Sequence, residues 1–253
     1  MTTIDLNADL GEGFGAWPAP ADAELFPLIT SASVACGFHA GDPGLMRETC
    51  AAAAAHGVVI GAHPGYPDLL GFGRRELGAT PREIAGYVAY QVGALAACAA
   101  LAGARVRYVK PHGALYNRAA REPEVARAVA EAVRAVDPGL ALLGLAGSAL
   151  VSAAREAGLR AVPEGFLDRA YRPDGSLVPR DVPGALIEDP AAAADRAVHL
   201  VRDGTLCAAD GTRLSVRVES LCVHGDGRRA AALLRAVRER LAAEGIRPAP
   251  FMR

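Results

Sequence analysis

A chain of 253 residues, half of them hydrophobic, can bury a large core, and its near balance of 27 basic and 28 acidic residues gives a net charge of −1, so neither nucleic acid nor an anionic membrane has a global electrostatic hold on it. Five cysteines at scattered spacings, with no C-x-x-C pair, argue against a disulfide framework or a cysteine zinc site. With no basic start followed by an apolar run, and no charge-free apolar span of membrane length read further on, the expectation is a soluble, cytoplasmic chain. It is expected to form one domain over residues 1–253 and to take a small ligand.

Short β-type runs alternate with longer helical ones. The first strand, Ile4 to Ala8, leads into Asn7-Ala8-Asp9-Leu10-Gly11-Glu12-Gly13-Phe14-Gly15. The second, Ala32 to Ala35, leads into Cys36-Gly37-Phe38-His39-Ala40-Gly41-Asp42, and Asp42-Pro43 then caps a helix that ends at Gly57. After the third, Val58 to Ala62, comes His63-Pro64-Gly65-Tyr66-Pro67-Asp68, and Thr80-Pro81-Arg82-Glu83 is a capping box opening a helix to about Ala102. The fourth, Arg107 to Val109, runs into Lys110-Pro111-His112-Gly113-Ala114-Leu115-Tyr116-Asn117. Helices over Pro123 to Val136 and Ser148 to Ala157 accompany strands at Ala141 to Gly144 and Ala161 to Glu164, the latter followed by Asp168-Arg169. A helix from Asp189-Pro190 closes at Gly204. The seventh strand, Ser220 to Val223, ends in His224-Gly225-Asp226 before a helix to Glu244. Two stretches, 65–78 and 171–187, fit the alternation poorly; their glycine, proline and arginine content is that of lids or partner surfaces.

Seven strands alternating with helices predict a mainly parallel sheet, closed into a barrel or open and doubly wound. In either architecture, ligand groups gather beyond the C-terminal strand ends. The polar clusters sit there, so one mouth would collect Asn7, Asp9, Glu12, His39, His63, Lys110, His112, Tyr116, Glu164, Arg169, His224 and Asp226. Such a set supplies what amide hydrolysis needs: proton carriers, and donors for the developing oxyanion. Composition singles out some of them. Lys110 is the one lysine against 26 arginines, Asn7 and Asn117 are the only asparagines, and Gln91 is the only glutamine. A drift that has replaced lysine and amides elsewhere leaves them where their chemistry is needed, a lysine being a compact point charge where arginine needs more room.

Blander roles compete at several positions. Asp42 and Asp226 also suit helix N-caps, and Cys36 suits an inert core thiol. His56 suits a helix end, and His199 a surface or packing position. Gly11-Glu12-Gly13 with Gly15 lacks both phosphate-loop spacing and a Walker lysine. Asp9, His39 and His63 could hold a divalent ion, but no pair has i, i+4 spacing and Lys110 would repel a cation, so no metal is assigned.

The segments DLNADLGEGFG, SASVACGFHAGDP, GAHPGYPDLLGFGRREL, VKPHGALYN, EGFLDRAYRPDGSLVPR and LCVHGD, in collinear order from residue 5 to 226, resemble the LamB/YcsF family. The resemblance implies a seven-stranded (β/α) barrel, TIM-barrel-like and related to the glycoside hydrolase/deacetylase superfamily. It implies action with B and C subunits to convert 5-oxo-L-proline, ATP and water into L-glutamate, ADP and phosphate, with ATP as co-substrate, Mg2+ in the complex, and homo-oligomerisation left open. On that resemblance Asp9 and His39, with His63, would handle protons or position water, and Lys110 with His112 would stabilise anionic oxygen. Glu12, Tyr116, Arg169 and Arg180 would bind substrate carboxylate or phosphate, with Asn7, Glu164, His224 and Asp226 at the same site. Ser33 and Gly227-Arg228 depart from the family pattern, which has asparagine and Thr-Pro there. Two other functions remain open: a stand-alone metal-dependent deacetylase or amidohydrolase, and a non-catalytic substrate-delivery subunit.

Overall fold

The computed structural model describes residues 2–17, 22–225 and 229–252. Strand β1 (Thr3–Leu10) shows how the architecture is specified. Its residues Ile4, Leu6, Ala8 and Leu10 enter the main apolar core. Asp5, Asn7 and Asp9 are equally buried but face the other way, as the two-residue period of a strand demands. β2 (Ser31–Ala35), β3 (Val59–His63), β4 (Val106–Val109), β5 (Ala141–Leu145) and β6 (Arg160–Phe166) follow in parallel order. After a small antiparallel hairpin, β7 (Thr205–Cys207) with β8 (Arg213–Ser215), strand β9 (Ser220–Cys222) pairs with both β6 and β1 and closes a seven-stranded parallel barrel. The closed form of the two predicted architectures is therefore the one present, and all seven predicted strands belong to it.

Helices α1 (Pro43–Ala55), α2 (Pro81–Leu101), α3 (Gly113–Arg121), α4 (Pro123–Val136), α5 (Ala149–Glu156), α6 (Pro190–Val198) and α7 (Ala230–Ala243) connect the strands. Asp42 caps α1 through the Gly44 and Leu45 amides, and Thr80 with Glu83 forms the expected capping box of α2. Helix α3 was not foreseen. It opens at His112 with no side-chain cap, so the polar oxygen that normally announces a helix start is missing from the sequence. The predicted helix to Gly204 is α6 followed by a π-helical turn, His199–Asp203. A short strand, β10 (Arg247–Pro248), pairs parallel with β1 and was also unforeseen.

Helix α2 corrects the reading that no apolar span of membrane length exists, because residues 84–104 carry no charge and the helix is long and apolar enough to cross a membrane. Here it is a barrel helix. Ile84, Val88, Val92 and Leu95 are buried, and so is Gln91, whose side-chain amide accepts from Gly65 N–H and donates to Gly65 C=O at 3.0 and 2.8 Å. The only glutamine of the chain therefore pins a loop over the barrel mouth. At the opposite end, Tyr108, Ala141, Leu143 and Val162 fill the barrel, with Phe251 and Met252 packed against them. Tyr108 fits only because residue 61 is glycine, since a Cβ there would lie 2.2 Å from the phenol ring.

Candidate active site at the barrel mouth

Between the apolar plug and the mouth the barrel interior is polar. Asp5 accepts from the hydroxyls of Thr30, Ser31 and Ser220, and burial pushes its carboxyl up to about 6 despite them. Lys110 is also buried, only 1% exposed. Its ammonium contacts Asp9 Oδ1 at 2.9 Å, Glu164 Oε1 at 2.8 Å, and Asn7 Oδ1 and Cys222 Sγ at 3.2 Å each. Burial alone would strip its proton, but the attraction of Asp9 and Glu164 wins and holds the amine well above its ordinary value.

Asn7 explains why an amide is required at that position. Its oxygen accepts from Lys110 while its nitrogen donates to Glu164 Oε1 at 2.9 Å and Ser220 Oγ at 2.7 Å; an aspartate would add a third carboxylate with nothing to donate. Tyr116 on α3 donates to Glu164 Oε2 at 2.8 Å. Both oxygens of Glu164 are thereby engaged. Asn7 and Glu164 are not among the residues that line the cavity; both contact Lys110.

The cavity above has a volume of about 480 Å3 and is lined by Asp9, Lys110, His112, Tyr116, Asn117 and Phe166 below, and by His224 at one side. Its wall is cationic, with Arg74, Arg121, Arg169, Arg172 and Arg180 against Glu76, Asp174 and Asp181. The stretch 171–187 supplies part of this wall, so its unusual composition belongs to the site. Arg169, 5% exposed, ties that wall together by donating to Val178 C=O; burial and then the neighbouring Arg180 charge bring its guanidinium down to about 10.

His224 is oriented by Asp168, which the sequence placed among the polar clusters beyond the strand ends without giving it a role. Asp168 accepts the His224 backbone N–H at 3.0 Å and lies 2.8 Å from His224 Nδ1. Burial raises the Asp168 carboxyl, but His224 outweighs it and lowers the group below its usual range. The Nδ1 proton thus points at Asp168, which leaves Nε2 as the lone pair, and the ring stacks on Phe166 at 5.1 Å. This is the base-and-orienter arrangement of proton-transfer sites. Asp168 was visible in sequence four residues after Glu164, but its partner lies 56 residues away. Asp226 lies outside the described residues.

Asp9 links this cavity to a second cluster. Its Oδ2 is 3.4 Å from His63 Nε2; burial raises its carboxyl, but His63 and Lys110 together bring it well below the usual range. Beyond it, Glu12 Oε1 sits 3.3 Å from both His39 Nε2 and His112 Nδ1 and 4.0 Å from His63 Nε2. The rings of His39 and His112 stack at 3.7 Å. Burial, then the neighbouring His112, push the His39 imidazole down to about 3, and burial lowers His112 too. His39 and His63 do not line the large cavity; His39 and Glu12 instead border a smaller one of about 260 Å3 with Trp17, Leu70 and Phe72. The predicted mouth is thus two adjoining polar sites. Cys36 belongs to neither, its Sγ accepting from His63 N–H at 3.3 Å while burial pushes the thiol up, which fits an inert core thiol.

A model of the LamB/YcsF family matches residues 4–253. The A subunit of the Azorhizobium caulinodans 5-oxoprolinase is 53% identical over 251 residues, 99% of each chain. The crystal structure of a lactam utilization protein from Thermus thermophilus superposes with a TM-score of 0.93 at 49% identity, covering 99% of this chain and 100% of that one. A T48 deacetylase shares the fold at 13% identity and a TM-score of 0.50, covering 98% of this chain and 87% of that one.

Proposed function

The chain belongs to the LamB/YcsF family, and on that premise we propose that it is the A subunit of an ATP-dependent, cytoplasmic 5-oxoprolinase. With B and C subunits it converts 5-oxo-L-proline, ATP and water into L-glutamate, ADP and phosphate. The observation that carries this reading is the identity of 53%, end to end, to the corresponding 5-oxoprolinase component of Azorhizobium caulinodans.

The site geometry suits the lactam half of that reaction. A ring amide resists hydrolysis; phosphorylating its carbonyl oxygen makes the carbon electrophilic, so that water adds there. The ring C–N bond then breaks with its electron pair going to nitrogen, and the acyl phosphate so formed loses phosphate to a second water. The partner subunits contribute the phosphoryl transfer from ATP, with Mg2+. Gly11 to Gly15 in this chain carries a buried Glu12 where a phosphate loop would offer open amides. The activated lactam occupies the cavity of about 480 Å3, a volume ordinary for small-molecule sites. Arg169 and Arg180 hold its carboxylate or phosphate, guanidinium forks matching either anion. His224, oriented by Asp168, takes a proton from the attacking water, whose oxygen bonds to the ring carbonyl carbon, and returns it to the ring nitrogen as the C–N bond breaks. Asp9, kept ionised by Lys110, positions that water. The three protons of Lys110 are already matched to Asp9, Glu164 and the Asn7 and Cys222 acceptors, so its share is a fixed positive field beneath the developing oxyanion.

Reconstitution tests this reading. Glutamate release from 5-oxoproline should require all three chains and ATP. Hydrolysis of a small amide by the purified chain alone, indifferent to ATP and lost with a chelator, would instead select the deacetylase reading. Turnover of the complex that survives Asp9→Ala and Lys110→Ala, with only affinity altered, would give this chain a purely delivering role.

A further inference from the structure

The cluster of Glu12, His39, His63 and His112 is not used by the lactam chemistry above, yet all four side chains are buried. Its hydrogen bonding fixes where two of the imidazole protons sit. His63 Nδ1 lies 2.7 Å from the Lys110 carbonyl oxygen, and His112 Nε2 lies 2.8 Å from the Phe72 carbonyl oxygen. A carbonyl only accepts, so each of those nitrogens carries its ring's proton. With both rings neutral, the remaining nitrogens, His63 Nε2 and His112 Nδ1, are bare lone pairs, and they face each other at 3.0 Å. The Glu12 carboxylate joins them as a third acceptor. Three such acceptors repel one another unless a proton or a metal cation lies between them.

Distances decide what kind of cation fits. A tetrahedral zinc site with ligand bonds of roughly 2.0 to 2.2 Å has ligand-to-ligand edges of about 3.3 to 3.6 Å. The separations from Glu12 Oε1 to the three imidazoles and between His63 and His112 run from 3.0 to 4.0 Å, and all four candidate ligand atoms lie within 4.8 Å of one another. The outer contacts are also those of a metal site, because ligating histidines hold their second N–H on a carbonyl or carboxylate. One of these carbonyls is held at a cost: Phe72 is the only non-glycine residue with positive φ among the described residues, at 54°, a conformation that persists where the surroundings demand it. His39 completes the set: it is fully buried, stacks on His112 and brings its Nε2 to 3.3 Å from Glu12 Oε1.

We propose that Glu12 Oε1, His39 Nε2, His63 Nε2 and His112 Nδ1 form a site for one divalent transition-metal ion, zinc by preference, which fastens together the ends of β1 to β4. Three imidazoles and one carboxylate suit zinc among the available divalent ions. The objection from sequence, that Lys110 would repel a cation, falls away because Asp9 and Glu164 at 2.9 and 2.8 Å already balance the ammonium. Four protein ligands make the site closed, so its first effect is on stability.

Direct binding measurements on the full chain test this without reference to turnover, so they stand or fall apart from the lactam reading. Protein stripped with a chelator is titrated with Co2+, read by its visible d–d absorption, and then with Zn2+, read by displacement of cobalt and by the shift in Tm. The wild-type chain should take up about one equivalent with tetrahedral cobalt bands and melt higher with zinc. His63→Gln and His112→Gln should each weaken binding by roughly 100-fold or more, while His199→Gln, at an exposed histidine, should bind like the wild type. Absence of saturable binding by the wild-type chain would show that a shared proton, not a metal, bridges His63 and His112, and would overturn the proposal whether or not the variants fold. Binding undiminished in both His63→Gln and His112→Gln would overturn it equally.

Discussion

Replacing Lys110 by methionine keeps the length and apolar stem of the side chain but removes the one charge that holds the barrel interior together. Two buried carboxylates, Asp9 and Glu164, lose a partner at 2.9 and 2.8 Å, and the Asn7 oxygen loses a donor at 3.2 Å. Removing one member of a buried ion pair destabilises by about 3 to 5 kcal/mol, chiefly because the other charge stays behind. Lys110→Met should therefore lower the unfolding free energy by that amount in urea titrations at pH 7. The deficit should shrink towards pH 5, as one of the released carboxylates takes up a proton. Adding Glu164→Gln removes one of the stranded charges and should recover at least half of the loss. Turnover should behave differently: both the single and the double variant should release glutamate in the reconstituted complex about 100-fold more slowly or worse, since neither restores the positive field. A Lys110→Met chain within about 1 kcal/mol of wild type at pH 7 would refute the reasoning, because the ammonium would then not be compensating buried charge.

Other expectations follow from single contacts. Asp168→Asn leaves His224 in place but no longer fixes its Nδ1 proton, so kcat of the reconstituted enzyme should fall by roughly 100-fold to 10,000-fold with little change in Tm. Arg180→Ala should raise KM for 5-oxoproline about tenfold or more while changing kcat less, as loss of a charged anion contact does. Gly73 has φ of 62°, and a Cβ there would lie 2.8 Å from His39 and 2.9 Å from His112; Gly73→Ala should therefore destabilise the chain by about 1 to 3 kcal/mol in the same urea assay. Asp5 predicts a pH effect. Its carboxyl is raised to about 6 from 3.8, so the folded state holds the proton that the unfolded state releases, and its contribution to stability is present below about pH 3.8 and lost as pH rises to about 6. Asp5→Asn cannot titrate, so on going from pH 4 to pH 7 it should gain up to about 3 kcal/mol relative to wild type; parallel pH dependence of the two chains would refute the assignment.

The parts of this architecture legible in the sequence were those encoded locally. Strand runs, the Asp42 and Thr80 caps and the Gly57 stop are all signals within a few residues. Helix α3 escaped because His112 supplies no capping oxygen, and β10 because two residues carry no period. The site was legible as an inventory, since polar residues after successive strands converge once the sheet closes. What each one does was not. Asn7, Glu164 and Tyr116 look like ligand groups when read singly, and only the geometry shows them bound to one another around Lys110.

The division of the mouth into two sites follows from one residue. Asp9 directs one oxygen to Lys110 and the other towards His63, at 2.9 and 3.4 Å, so it belongs to both the anion cavity and the histidine cluster. In sequence the two are indistinguishable, because Lys110 and His112 are two residues apart and follow the same strand. The two-residue alternation does not separate them either, since both lie beyond the end of β4 at Val109. The separation comes from partners that arrive from elsewhere. Glu164 crosses the barrel to hold Lys110, while the Phe72 carbonyl descends from the roof to orient His112. A change at Phe72 or Gly73 should thus disturb the histidine cluster first and reach Lys110 only through Asp9. Asp9→Asn, by contrast, weakens the charge balance of one site and the neighbourhood of the other at once, and it is the substitution from which the two effects cannot be separated.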